Sequence, residues 1–424
     1  MYTKKILPNG LTVLKVPIAG AKSVLVDVFV KTGSRHEEPR INGISHFLEH
    51  LFFKGSKRYP TALDLSHALD AIGAEYNANT GKEHTQFYIK AADKHLSFIF
   101  ELLSDMLQRP IFAHPEIERE KGVVIEEINM YEDTPMRHVE DMLEEIMWPG
   151  HPLGRNIAGT REVIKSLTRE NILDYVGTFY KPNNMILAVT GSYNERLLNG
   201  LIKKHWNEKI VPAAPPAPPW KKVRYGQRKP AYRIKPKKTE QYHFALGFRS
   251  YDHNHKYFIP QMVLATILGG GMSSRLFTEV RERRGLAYYI RAGATNYQDT
   301  GNFVIQAGVR LKAFREAMQT VMAELRKIKK HDLEKKELTK AKEYIKGTMT
   351  LSLEESESLL GWFLEQTAFR RQVLTPEKVF ALVDKTTPAD IKKVARDIFQ
   401  KKNLNLAVIG PAKGGREIPK LLSV

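Results

Sequence analysis

The sequence contains no cysteine. That absence removes disulfide frameworks, thiolate zinc sites, iron–sulfur clusters and cysteine nucleophiles together, and leaves zinc held by histidine and carboxylate as an open possibility. No run approaches about 18 consecutive apolar residues, so no membrane-spanning helix and no membrane partner are expected. Residues 1–10, MYTKKILPNG, are too polar for a secretory core and lack a small-residue cleavage site. A cytoplasmic location is the expectation. Also missing are a nucleic-acid motif and a basic face interleaved with aromatics. The chain holds 66 basic and 47 acidic residues, a net charge of +19. Such a balance favours acidic partners in general, yet without a recognition motif no nucleic acid is expected among them.

What is present is an ordinary globular composition, 424 residues with 42% hydrophobic and 27% charged side chains. That is enough chain for two or three domains, each with its own core. Asn9-Gly10 between two apolar runs signals a type I′ hairpin. Residues 23–30 alternate as a half-buried strand should. Helical spacing covers 45–54, 61–72, 93–107, 115–131 and 168–180, with strands at 74–79, 84–90 and 185–189. The pattern then breaks. Residues 212–220 hold five prolines in nine, and 221–238 hold nine basic residues and no acidic one. Residues 211–238 therefore read as a solvated, Pro-rich basic linker between a first domain at 1–210 and a second at 239–424.

After the linker, strand, helix and strand patterns recur at 242–248, 259–268 and 302–307. The segment from Thr168, TRENILDYVGTFYKPNNMILAVTG, matches TPADIKKVARDIFQKKNLNLAVIG from Thr387 without a gap. At this offset of 219, Thr168/Thr387, Ile172/Ile391, Asn184/Asn403, Ala188/Ala407, Val189/Val408 and Gly191/Gly410 are identical. Two copies of one helix-plus-sheet unit explain this.

The chemistry concentrates in His46-Phe47-Leu48-Glu49-His50. On a helix, residues four apart point the same way, so His46 and His50 can share one metal ion with Glu49 beside them. This HxxEH order is that of inverted zinc-peptidase motifs. A third ligand belongs on a second element. Glu120 and Glu127 lie seven residues apart, about two full turns, and share one helix face. Glu126 sits about 100° away and is the weaker candidate. Val123, Val124 and Ile128 around these carboxylates indicate a packed helix rather than a solvated acidic stripe.

LPNGLTV, HFLEHLFFKGS, the two downstream glutamates and EEINMYEDTP together resemble the pitrilysin/insulinase family of inverted-motif zinc metallopeptidases. The likeness is strongest to the short branch that includes mitochondrial processing peptidase and bacterial homologues, and it covers essentially the whole chain. It implies an α+β fold of two homologous domains, each a mostly antiparallel sheet backed by helices on one face. It implies one Zn²⁺ per chain on His46, His50 and Glu127, Glu49 as general base, and Glu120 as a second acidic residue supporting the site. The strand at 74–79 resembles the family's substrate-binding edge, which implies that Asn77, Ala78 and Asn79 pair with peptide backbone. LFTEVRERRGLAYYI resembles the C-terminal cleft motif, which implies that Arg281 and Tyr288 bind substrate carbonyls. The run Gly269-Gly270-Gly271 looks like a short form of the glycine-rich loop of one processing-peptidase subunit. The second half has no HxxEH, and at the same offset Thr339 and Lys346 stand for Glu120 and Glu127.

The function expected is therefore a zinc endopeptidase that hydrolyses extended or unfolded peptides in an enclosed chamber. Because one chain carries both the zinc set and the Arg281/Tyr288 set, a homodimer with two complete sites is expected. The alternatives are a non-catalytic peptide-binding or scaffold subunit, and one half of an obligate heterodimeric peptidase.

Overall fold

The computed structural model describes residues 2–207, 217–411 and 421–422. The chain runs β1 (Thr3–Ile6), β2 (Thr12–Pro17), β3 (Ser23–Val30), α1 (Ile44–Phe52), α2 (Ala62–Asp70), β4 (Glu75–Thr80), β5 (Thr85–Ala92), α3 (Leu96–Gln108) and α4 (His114–Asp133). There follow α5 (Pro135–Met147), α6 (Arg161–Ser166), α7 (Arg169–Phe179), β6 (Met185–Gly191) and α8 (Glu195–Trp206). The second half adds β7 (Ala231–Pro236), β8 (Gln241–Ser250), α9 (Phe258–Gly269), a π-helical segment (Phe277–Glu282), β9 (Ala287–Asn296) and β10 (Gly301–Arg310). It ends with α10 (Phe314–Lys330), α11 (Lys335–Ser352), α12 (Ser356–Phe369), α13 (Pro376–Lys385), α14 (Pro388–Ile398) and β11 (Leu404–Gly410).

Strand order makes the duplication explicit. The first sheet is β1-β2-β6-β3-β5-β4 and the second is β7-β11-β8-β10-β9. Without β1, each strand of one has its counterpart at the same place in the other. Even the exception matches: β2/β6 and β7/β11 are parallel pairs in otherwise antiparallel sheets. Helices α7 and α14, and strands β6 and β11, begin and end 219 residues apart. Thr168 and Thr387 open the two helices with the same capping box, each hydroxyl accepting from the third helical N–H. This is the α+β, two-copy fold.

The copies do not follow the contiguous boundaries 1–210 and 239–424. One compact unit comprises Met1–Met130, Arg155–Lys221 and Leu353–Ala368, and the other Tyr131–Gly154, Lys222–Ser352 and Phe369–Val424. Counterpart helices thus change places: α5 leaves the first half, and most of α12 leaves the second. In the second unit, Val139, Leu143 and Met147 of α5 pack on Ala245, Ala407 and Ile409 of the sheet. The opposite face carries Phe244 and Phe248, which meet Phe314 and Phe399 edge to face. In the first unit, alternate residues Val24, Val26, Val28 and Val30 face a core shared with α1 and α3.

Three local expectations change. The first hairpin is real, but Ile6 pairs with Thr12, so the connection is the five residues 7–11. Pro8 favours the first central position of a turn closed by the Gly10 N–H on the Leu7 carbonyl (2.9 Å), which displaces the two-residue type I′ form. Strand β3 is buried on both faces, so it does not leave alternate residues to solvent as a half-buried strand would. Lastly, parts of the expected linker are held by the fold. Trp220 lies under the Arg35 guanidinium at 3.9 Å, and 231–236 forms β7 beside β11. Its cations are partly used at home: Arg233 pairs with Glu145, and Lys237 with Asp133 at 2.8 Å. The prolines at 212–216 lie outside the described residues.

Candidate metal centre

Helix α1 is apolar around most of its circumference, with Ile44, Phe47, Leu48, Leu51 and Phe52 all buried. Its N-terminus is Gly43 with φ 101°, a left-handed conformation suited to glycine, and it has no side chain to cap the helix. Glu37 does that instead. One carboxylate oxygen accepts from the Gly43 N–H (2.7 Å) and the Asn42 amide (2.8 Å), the other from the Ser45 N–H (2.8 Å). Burial raises the Glu37 pKa even against these three bonds. At the other side, the Ser45 hydroxyl meets the Tyr175 hydroxyl of α7 at 2.8 Å. The helix that carries the histidines is thus anchored at its first turn from two directions.

On this helix His46 and His50 present their rings together, centroids 4.8 Å apart. Glu127 of α4 reaches both: its Oε2 lies 3.5 Å from His46 Nε2 and 3.4 Å from His50 Nε2. The three side chains offer ligand atoms all within 4.8 Å of one another, the one such group among the described residues. Tetrahedral zinc with ligand bonds of about 2.0–2.1 Å needs ligand atoms about 3.3 Å apart, so the two measured separations suit it. Two imidazoles and a carboxylate are also a zinc donor set, and His46 Nε2, His50 Nε2 and Glu127 Oε2 are the atoms that face one another. The residues fit the metal.

Glu120, two helical turns before Glu127, does something different. It is 2% exposed, and its Oε1 sits 2.8 Å from His50 Nδ1, while Oε2 receives Lys54 Nζ at 2.8 Å. Burial by itself would raise its pKa, but the bonds to His50 and Lys54 outweigh it and hold the carboxyl below its ordinary range. Burial likewise pulls His50 down, and the two glutamates overcome it, pushing the ring up to about 9. A carboxylate on the far nitrogen fixes the ring's orientation and tautomer and leaves Nε2 for a metal. Glu49 lies on the same helix, partly exposed, one residue before His50. Glu126 points elsewhere, toward Asn129. The packing inferred for α4 holds for Val124 and Ile128, which are buried, but Val123 is 47% exposed.

The remaining candidates fall into two places. Asn77, Ala78 and Asn79 lie on β4, the last strand of the first sheet, which pairs with β5 and, among the described residues, has no strand on its other edge; α1 packs nearby. Arg281 and Tyr288 belong to the second unit and approach each other, the guanidinium 5.9 Å from the Tyr288 ring. Tyr288 is 74% exposed, presenting its phenol outward. Gly269 in the glycine run has a packing reason: a Cβ there would stand 2.2 Å from the Ala292 amide nitrogen of β9. On α11, Lys346 in the Glu127 position pairs with Glu343 (2.7 Å) and Asp384 (3.1 Å), a surface ion pair with no ligand role.

Sequence reasoning passed over Glu37 and Lys54. Lys54 continues the four-residue spacing of His46 and His50, which was the available hint for it, whereas Glu37 belongs to no spaced pattern and only the fold brings it to the start of α1. A run of N–H groups preceded by a glycine that cannot cap was the available hint for Glu37.

Residues 13–161 match the family model described as Insulinase (Peptidase family M16), and residues 166–345 match the Peptidase M16 inactive domain. The chain belongs to the insulinase family of peptidases. It is 33% identical over 408 residues to an uncharacterized zinc protease of Bacillus subtilis, covering 95% of this chain and 97% of that one. It is 33% identical over 414 residues to an uncharacterized zinc protease of Streptomyces coelicolor, covering 96% and 89%. A crystal structure of a protease from Helicobacter pylori superposes with a TM-score of 0.89 at 26% identity, covering 97% of this chain and all of that one. An M16 inactive-domain structure from Pseudomonas fluorescens, at 17% identity and a TM-score of 0.86, shares the fold, covering 97% of this chain and 98% of that one. Within this insulinase-family chain the metal-capable cluster falls in the first matched stretch, and Arg281 and Tyr288 fall in the second. Among the described residues no helix is long and apolar enough to cross a membrane.

Proposed function

We propose that the chain is a zinc-dependent endopeptidase that hydrolyses extended or unfolded peptides. The observation that carries this reading is the convergence of His46, His50 and Glu127 at metal-ligand spacing, with Glu120 on the far nitrogen of His50. Zinc held there supplies Lewis acidity that polarises water and the scissile carbonyl. Glu49 accepts the proton of the attacking water and returns it to the departing amine, the work of a positioned carboxylate. Glu120 and Lys54 hold His50 in place. The open edge of β4 offers Asn77, Ala78 and Asn79 for backbone pairing, which selects extended peptide over folded protein. Arg281 and Tyr288 take substrate carbonyls, and their presence in the same chain supports a homodimer with a complete site at each zinc.

Glu49→Gln tests this directly on a quenched unstructured peptide. Zinc content equal to wild type, with cleavage lowered at least about 100-fold, is the expected result. Cleavage that survives in Glu49→Gln removes the proposed base, and wild type that binds no zinc removes the metallopeptidase reading. Native mass spectrometry of the same preparation reads the dimer, and a monomer that cleaves at full rate rules the homodimer out.

A further inference from the structure

Charge is shared unequally between the two halves of the sequence. Residues 1–210 hold 26 basic and 27 acidic side chains, and residues 211–424 hold 40 and 20. The net +19 is therefore −1 in the first half and +20 in the second. Counted by compact unit the imbalance remains, 26 basic and 25 acidic against 40 and 22, and both units build the same topology, so folding gives no reason for one to carry the excess.

The second unit has a concave place where part of this charge collects. A cavity of about 460 Å³ lies at the start of α9. Lys256, Arg370, Arg371 and Lys385 line it, against one carboxylate, Asp390. Asp390 is engaged already, accepting from the Thr387 N–H (2.9 Å) and hydroxyl (2.7 Å) in the α14 capping box. Arg370 is held over the Phe258 ring at 3.9 Å and donates to the His253 carbonyl. Lys256, Arg371 and Lys385 are exposed and have no carboxylate partner among the described residues. Ile259, Pro260 and Leu382 add apolar surface to the lining.

The first copy shows how the corresponding place is filled. There the link from β3 to α1 is the thirteen residues 31–43, and it delivers the Glu37 carboxylate to the helix start while packing its 39–41 turn on α6. In the second copy the link from β8 to α9 is only the seven residues 251–257, and the side chain that meets the helix start is a neutral acceptor, His255 Nδ1 on the Tyr257 N–H (3.2 Å), not a carboxylate. The equivalent positions carry other residues: Lys385, Thr386 and Asp390 stand 219 residues beyond Ser166, Leu167 and Asn171. A loop and its carboxylate are gone, and cations line the space.

We propose that this cavity binds an external organic oxyanion, one with two or more carboxylate or phosphate charges and an apolar portion. The cations meet the charges, and Ile259, Pro260 and Leu382 meet the apolar part. A volume of this size suits a small molecule of nucleotide or tricarboxylate dimensions. The assignment stands independently of the peptidase reading, because its readout is binding.

The experiment is calorimetric titration of the full chain with citrate, inorganic tripolyphosphate and ATP at low ionic strength. At least one probe is expected to bind one to one with Kd below about 1 mM. Arg371→Ala combined with Lys385→Ala should weaken that binding tenfold or more, with an unchanged unfolding midpoint, since both side chains are exposed. Lys401→Ala combined with Lys402→Ala removes the same charge elsewhere and should leave binding intact. Citrate alone, or the phosphates alone, identifies the charged group. ATP binding without tripolyphosphate binding shows that the apolar portion is required. Failure of all three probes overturns the proposal. So does an equal loss in the control variant, which would mean diffuse attraction to a basic protein.

Discussion

Glu37 is the residue on which the placement of the metal-bearing helix should most visibly depend. Glu37→Ala removes the acceptor for three donors at 2.7–2.8 Å, the N–H groups of Gly43 and Ser45 and the Asn42 amide. All three donor residues are buried. A buried donor left unpaired costs about 1–3 kcal/mol, and a lost helix cap about 1–2. Nothing nearby replaces the cap, because a Cβ at Gly43 would stand 2.6 Å from the Ala158 carbonyl oxygen. Part of the loss is offset, since burial already disfavours the Glu37 anion and raises its pKa. The balance is a destabilisation of about 2–4 kcal/mol. Glu37→Gln separates charge from geometry: its oxygen still accepts, but its NH₂ faces donors, so most of the loss should remain. Two measurements read the effect. Urea denaturation reports stability, and hydrogen exchange reports protection of the α1 amides. Zinc competition against a chelator should show affinity lowered about tenfold or more, because His46 lies one turn from the cap. Wild-type stability together with wild-type exchange in α1 of Glu37→Ala would refute the reasoning.

Glu120→Gln should weaken zinc binding about 10- to 100-fold by loosening His50, while Lys54→Met, which leaves Glu120 in place, should cost less; chelator competition ranks the two. Asp27, buried in the middle of β3, is pushed up to about 8 by desolvation from an ordinary 3.8. The folded state then holds a proton that the unfolded chain has released. Its stabilising contribution is complete below the unfolded value and lost as pH rises through the folded one. The total lost across that window is about 6 kcal/mol, at about 1.4 per pKa unit. Asp27→Asn should flatten this part of the stability profile between pH 4 and 8, and an unchanged slope in urea titrations would count against the assignment.

The readable parts of this protein were the local ones. His46 and His50 fall on one face because helix geometry relates residues four apart, whatever surrounds them. The 219-residue repeat was visible because both copies kept their capping threonines and the strand residues that follow. Periodicity also placed Glu120 and Glu127 on one face, but it gave them equal standing. Tertiary packing separated them, setting Glu127 against both Nε2 atoms and burying Glu120 between His50 Nδ1 and Lys54. The same holds for Glu37, whose partners are backbone amides six and eight residues away across an irregular loop. It holds for α5 too, since an amphipathic stripe shows that a helix needs a surface and not which sheet supplies it. Spacing along the chain determines which side chains travel together on one element. Which elements meet, and what charge each side chain finds there, is decided by contacts between residues far apart in sequence, and those exist only in the folded chain.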